Sequence, residues 1–286
     1  MSSVRVRSVL GQPILALLNA WPDRRALQQR DFQRLLVRGI LARAQDLGFV
    51  VEEHWLCEPG MKGARMSEIL HTRGIGGIII PGVPSSAATD LDVKWEQFAV
   101  VACGRSLKSP NFHRASPALY DSARLAVQAA MDANRTRLGL VLSPEVDRAH
   151  DEQWSGAFLA AQRQWPEKDC VPILCVDPNA QSEFITWLEK WRPDTIVTSL
   201  NYLPVHEWLK AAPAKQTKRV ALIELFRPGR VSDTPRVDAN AKLIGAAAVD
   251  LLVSQLLRHE RGVPQYRQEI LVPPTWVSGT GWNKSL

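Results

Sequence analysis

Short aliphatic runs alternate with longer segments of helical period along almost the whole chain, and this alternation restricts the fold more than any other feature. Neighbouring parallel strands need a crossover of about a dozen residues or more, so strand and helix must take turns along the sequence. The pattern predicts strands at 14–18, 49–51, 77–80 and 98–103, then at 138–142, 171–176, 195–198 and 220–223, with a last one at 269–272. Between the first two, Phe32, Leu35, Leu36, Gly39, Ile40 and Leu47 recur at three- and four-residue steps, with Arg34, Arg38 and Arg43 opposite and Gly48 as terminator. That is an amphipathic helix. Further helices are expected around 66–70, 119–134, 152–165, 183–191, 203–211 and 241–257.

The rhythm breaks twice. After four strands, the stretch around 111–118, with Pro110 and Pro117, reads as a crossing between two lobes, and a new series of units begins beyond it. A second break at 227–235 is rich in Pro, Gly and Ser and leads into the helix at 241–257. That helix carries Leu243, Ile244, Ala247, Ala248, Val249, Leu251, Leu252, Val253 and Leu256 over most of its circumference, so it is either deeply buried or part of a subunit contact. No internal repeat and no low-complexity run is present.

With 286 residues, 45% hydrophobic and 22% charged, the chain can bury a substantial core, which excludes disordered and fibrous classes. Its +6 formal charge fits a nucleic-acid neighbour but also many enzymes. Cys57, Cys103, Cys170 and Cys175 form no CxxC pair; three lie in apolar runs and read as reduced core residues of a cytoplasmic protein. The first eleven residues hold Arg5 and Arg7 without a signal-like apolar stretch, and no run such as Ile78-Ile79-Ile80 is long enough to cross a bilayer, so neither export nor a membrane is expected.

Tests for catalytic chemistry come back empty. Gly74-Ile75-Gly76-Gly77 precedes a strand, so no helix N-terminus would face a phosphate there, and it reads as a turn. His206-Glu207 has Lys210 where a second zinc ligand would fall. His54, His71, His113, His150 and His259 are scattered and read as surface or capping residues. Neither Trp154-Ser155-Gly156 nor Val277-Ser278-Gly279 makes a nucleophile elbow. Asp147, Asp151 and Glu152 fit a loop and a helix first turn. No metal, cofactor or enzymatic activity is therefore expected. Ten tryptophans are many for this length, and Trp21, Trp55, Trp154 and Trp208 fall near element ends where a ligand cleft would open.

Several segments in order carry a family resemblance. Residues 14–18 followed by Phe32 to Gly48 resemble an opening strand and its "F…L..GI...A...G" helix, and Gly76 to Pro81 resembles a "DGIII-P" strand. Residues 98–105 match the next strand, 244–252 a "G..A...L" helix, and 269–274 a closing strand. Together they make the chain similar, from about Pro13 to Trp282, to the effector-binding core of LacI/GalR-family transcriptional regulators. The resemblance implies an α/β fold of the type I periplasmic-binding-protein kind: two doubly wound parallel-sheet lobes joined by three crossover segments. It implies a residual linker at 1–12, an N-terminal lobe of 13–112 plus 236–262, and a C-terminal lobe of 113–235 plus 263–286. It further implies a small-molecule effector in the inter-lobe cleft and a homodimer through the N-terminal lobe. DNA would be bound only through a helix-turn-helix domain, and the dozen residues before the first strand do not contain one.

Three places depart from the family's sugar-binding pattern. Gln153 stands where an Arg precedes the helix motif Gly156-Ala157-Phe158, and Leu200-Asn201-Tyr202 and Leu225-Phe226-Arg227 replace Asp-bearing strand ends. These exchanges point to a different ligand, or none. Ligands of open α/β sheets sit beyond the carboxyl ends of strands, so the candidate effector contacts are Asn19, Trp21, Gly82, Arg105, Arg148, Gln153, Asn201 and Arg227. Asn and Gln can share hydrogen bonds with hydroxyls, and a desolvated Arg can fork onto a carboxylate or phosphate. A solute-binding protein of a transport system is the alternative reading.

Overall fold

The computed structural model describes residues 12–84, 91–199, 202–213, 217, 220–227, 233–280 and 282. The chain divides into two compact units: Met1–Ser116 with Ala241–Ile270, and Pro117–Asn240 with Leu271–Leu286. It therefore passes from one unit to the other three times.

The first unit is built on β1 (Ile14–Asn19), β2 (Val50–Trp55), β3 (Gly77–Ile80), β4 (Ala99–Cys103), β5 (His113–Pro117) and β11 (Glu269–Val272), in the order β11-β5-β4-β3-β1-β2. All pairings among β1 to β5 are parallel. β11 runs with them, since Arg114 N–H donates to Gln268 O and Ala118 N–H to Val272 O, four residues further along both chains. Helices α1 (Ala26–Gln29), α2 (Asp31–Asp46) and α3 (Gly63–Thr72) occupy the crossovers. The second unit repeats the plan with β6 (Leu138–Leu142), β7 (Leu174–Cys175), β8 (Thr195–Thr198), β9 (Ala221–Glu224), β10 (Arg236–Asp238) and β12 (Thr275–Val277), in the order β12-β10-β9-β8-β6-β7. Its helices are α4 (Leu119–Asp132), α5 (Pro144–Ala149), α6 (Gln153–Gln162), α7 (Gln181–Trp191) and α8 (Val205–Ala211). Only the last strand differs in sense, β12 being antiparallel to β10. Both sheets thus share the doubly wound 2-1-3-4-5 order plus a late-returning strand.

A parallel sheet covered on both faces must be apolar on both. In β1, Leu15 and Leu17 face one side and Ala16 and Leu18 the other, all buried. One layer, with Ala16, Leu18, Ile78, Ile80, Val100 and Ala102, packs against Met66 and Leu70 of α3. The other lies under α2 and the long helix α9 (Ala241–Leu257), which touches β3, β4 and α2. α2 and α9 cross at two glycines: a Cβ on Gly39 would stand 2.0 Å from Lys242 O, and one on Gly245 2.2 Å from Leu36 O. Backbones can approach this closely only where no side chain intervenes.

The structure revises several sequence expectations. The break around 111–118 contains β5, and β5 and β11 join the first sheet, so the chain changes unit at 116/117 and 270/271, where the reading placed residues 113–235 and 263–286 in the second lobe. β2 runs on to Trp55 through Glu52 and Glu53, because an edge strand tolerates charge. The expected strand at 171–176 is only the pair Leu174–Cys175, and β10 and β12 lay outside the pattern. Of the four cysteines only Cys103 is buried, its thiol pushed up to about 12 by desolvation; Cys57 and Cys175 are exposed and Cys170 is intermediate. α9 buries one side and leaves Leu243 and Leu257 exposed. His113 is neither surface nor cap. Its ring is buried, Nδ1 accepts the Gln268 N–H at 2.8 Å, and so Nε2 carries the proton that it donates to Glu260 at 2.6 Å.

Candidate functional site

In each sheet the strand order reverses around the first strand, β1 or β6, and the loops at the carboxyl ends there are the places where ligands of such sheets bind. The two edges are finished differently.

In the first unit, Asn19 ends β1 fully buried. Its Nδ2 donates to Arg24 O at 3.0 Å and to Glu53 Oε1 at 2.8 Å, and its Oδ1 accepts the Trp21 N–H at 3.1 Å. The Trp21 indole N–H then donates to Gly82 O at 3.1 Å, tying the end of β1 to the loop after β3. Gly82 has φ +96, a conformation that favours glycine, and next to it Val83 N–H donates to Ser106 Oγ. Arg105 reaches Glu269 at 2.9 Å, both side chains largely buried. Thus Asn19, Trp21 and Gly82 are brought into one hydrogen-bonded rim, while Arg105 is committed to β11.

The second unit leaves more unspent. Asp147 is buried within α5, and its Oδ1 has no hydrogen-bond partner among the described residues. As the sequence suggests, Asp147 lies in the first turn of α5, and Asp151 and Glu152 form the link between α5 and α6, left-handed with φ 55 at each. Asp147 lies close enough to Cys175 that its charge adds to burial in raising that thiol. Ser199, directly after β8, has a buried Oγ with no described partner. Glu224 closes β9 with no exposed surface; Oε1 accepts from Arg227 at 2.6 Å and Oε2 is unpartnered among the described residues. Burial pushes the Glu224 carboxyl up, against the pull of Arg227, Arg236 and His206. Beside these groups His150 stacks on Trp154 with ring centres 4.8 Å apart, and Phe226 stands 6.1 Å from each. Phe226 has φ 60, a strained setting for a bulky side chain and a frequent companion of binding loops.

The sequence-derived candidates of this unit are less central. Arg148 is exposed and turns its Nε back to Pro144 O, Gln153 is half-buried at the start of α6, and Arg227 serves Glu224. Asn201 lies outside the described residues. Trp154 and Trp208 are core side chains. What sequence reasoning missed is Asp147, Ser199 and Glu224. Glu224 had a partial signal, as a carboxylate directly after an apolar strand run, which Glu52 and Asp177 share; Asp147 had none that separated it from its acidic neighbours. Among the described residues no group of three or more His, Cys, Asp or Glu is placed to hold a metal, and no described helix is long and apolar enough to cross a membrane.

No protein-family model and no curated protein matches the chain. Solved structures do. A LacI transcriptional regulator from Lactobacillus brevis superposes with TM-score 0.62 at 14% identity, over 92% of this chain and 100% of that one. A LacI family regulator from Enterococcus faecium with bound ribose gives 0.58 at 15%, over 92% and 96%. A periplasmic binding protein/LacI transcriptional regulator from Alkaliphilus metalliredigens, complexed with D-xylulofuranose, gives 0.59 at 16%, over 92% and 97%. At such identities the likeness is one of fold. The chain has the paired, doubly wound α/β architecture of the LacI-type regulator cores and of periplasmic-binding-protein-like structures.

Proposed function

We propose that the chain is the ligand-sensing and dimerisation core of a LacI-type transcriptional regulator acting in the cytoplasm. It binds a small polar effector, sugar-like or otherwise, at the carboxyl edges of its sheets. The observation that carries this reading is the set of buried, unspent acceptors at the ends of β8 and β9 and in α5: Ser199 Oγ, Glu224 Oε2 and Asp147 Oδ1. A buried acceptor without a donor costs about 1–3 kcal/mol, and a ligand bringing hydroxyl or amine donors removes that cost. Asn19, Trp21, Gly82 and Arg105 of the first unit, and Arg148, Gln153, Asn201 and Arg227 in the sequence of the second, are proposed as further effector contacts. The effector acts by preferring one state of the protein, since a ligand with equal affinity for both shifts nothing. DNA is then bound through a helix-turn-helix domain outside this chain's two units.

The homodimer forms through the first unit, by α2 and the outer stripe of α9, where Leu243 is 57% and Leu257 78% exposed next to exposed Leu41 and Leu47. A thermal-shift screen of neutral sugars, sugar phosphates and purines tests the sensing role: a saturable rise in Tm with one class is expected. No shift with any compound contradicts it. Light scattering should find a dimer that Leu243→Glu converts to monomer; a ligand-binding monomer favours a solute-binding protein instead.

A further inference from the structure

The carboxyl edge of the first sheet carries three arginines within seven residues, Arg24, Arg25 and Arg30, all exposed. None of them has a carboxylate within ion-pair distance among the described residues, whereas two arginines of α2 do: Arg34 holds Asp31 and Arg43 holds Asp250. Two acidic side chains of this edge each give one oxygen to another donor. Asp23 Oδ1 accepts the Arg25 amide N–H at 2.9 Å, and Glu53 Oε1 accepts from Asn19.

The guanidinium positions are also built. Arg30 lies 4.6 Å from the centre of the Trp21 ring and Arg24 6.0 Å from that of Trp55. The two indoles belong to one network, because the Trp55 indole N–H donates to Trp21 O at 2.8 Å and that of Trp21 to Gly82 O. The Arg24 carbonyl is pinned by Asn19. A guanidinium over an indole face is weakly hydrated and keeps its N–H fork free, so ordering it on an oxyanion costs little.

We propose that Arg24 and Arg30, held on the Trp21–Trp55 pair, form an oxyanion subsite with the exposed Arg25 beside Arg24 in sequence, and that the effector carries a phosphate monoester. This rests on the sensing function proposed above. A phosphate monoester brings about −1.5 to −2 charges and three acceptor oxygens, which suits several guanidinium forks better than a single carboxylate does.

The test measures Tm at constant ionic strength in chloride, inorganic phosphate, glucose 6-phosphate and glucose, for the unaltered chain and for Arg24→Gln and Arg30→Gln. Both arginines are exposed, so the variants should melt unliganded at the unaltered temperature. Phosphate is expected to raise Tm saturably, with glucose 6-phosphate binding at least tenfold tighter than glucose, and each substitution should weaken phosphate about tenfold. A phosphate response unchanged in both variants overturns the subsite. So does a response to neutral sugars without one to phosphate, which leaves the sensing function standing; silence toward every compound removes both. Arginine-dependent binding of a random DNA duplex without saturation by phosphate would mark a polyanion surface instead, and also overturns the proposal.

Discussion

At the carboxyl edge of the first sheet, Asn19 spends its amide nitrogen and its oxygen, Trp21 spends its indole N–H on Gly82, and Arg105 is paired with Glu269. At the matching edge of the second sheet, Asp147, Ser199 and Glu224 each keep a buried oxygen without a described partner, and the backbone is strained at Asp151, Glu152 and Phe226. One strand order therefore supports two finishes. The Asn19–Trp21–Gly82 segment is closed by its own hydrogen bonds, although His54 Nε2 and Ser116 Oγ of the same unit are also buried without a described hydrogen-bond partner. A buried acceptor left unsatisfied gives up stability that a bound donor would restore.

The largest expected effect that separates the two is at Trp21. Trp21→Ala removes the bridge from β1 to Gly82 and the shelf under Arg30, and should cost about 3–5 kcal/mol in denaturant unfolding. Next, Asn19→Ala should cost about 1–3 kcal/mol, because it strands the Arg24 carbonyl and the Trp21 N–H. Asp147→Asn, by contrast, should leave stability unchanged or raise it while weakening the effector tenfold or more. If Asn19→Ala is silent and Asp147→Asn is costly, the comparison is reversed.

The smallest effects are in pH dependence, and they have opposite signs. Burial raises the folded Glu224 carboxyl, so its favourable contribution exists below the ordinary carboxylate range and is lost as pH rises through the raised value. Hydrogen bonds from His113 and then Arg258 lower Glu260, so its contribution exists above that range and is lost as pH falls through the lowered value. At neutral pH, Glu224→Gln should therefore stabilise and Glu260→Gln destabilise, each by about 1 kcal/mol or less. Tm measured from pH 4 to 8 checks both.

Much of this fold is legible in the sequence: β3, β6 and β8 are apolar runs buried along their whole length, and β11 and α9, each buried over only part of its surface, also lie where the pattern placed them. β5 escaped because its sequence, His-Arg-Ala-Ser-Pro, carries no apolar alternation. Its polar groups are buried only because Glu260, Gln268 and the Leu107 carbonyl meet His113 and Arg114, and those partners are distant in sequence or set by the loop's path. β10 and β12 are three residues each, too short for a period. The carboxyl-edge rule points to loops, yet it cannot tell a spent side chain from an unspent one. Arg105 and Glu224 both end apolar strand runs; only the pairing to Glu269 and the free Oε2 separate them.

Hydrogen exchange, with and without the compound giving the largest saturable thermal shift, tests the central claim most directly. The account predicts slowed exchange at residues 19–25 and 82–83 of the first unit and at 143–154 and 224–227 of the second. Protection confined to the amino-terminal ends of the strands, or to the outer faces of α4 and α6, would contradict it.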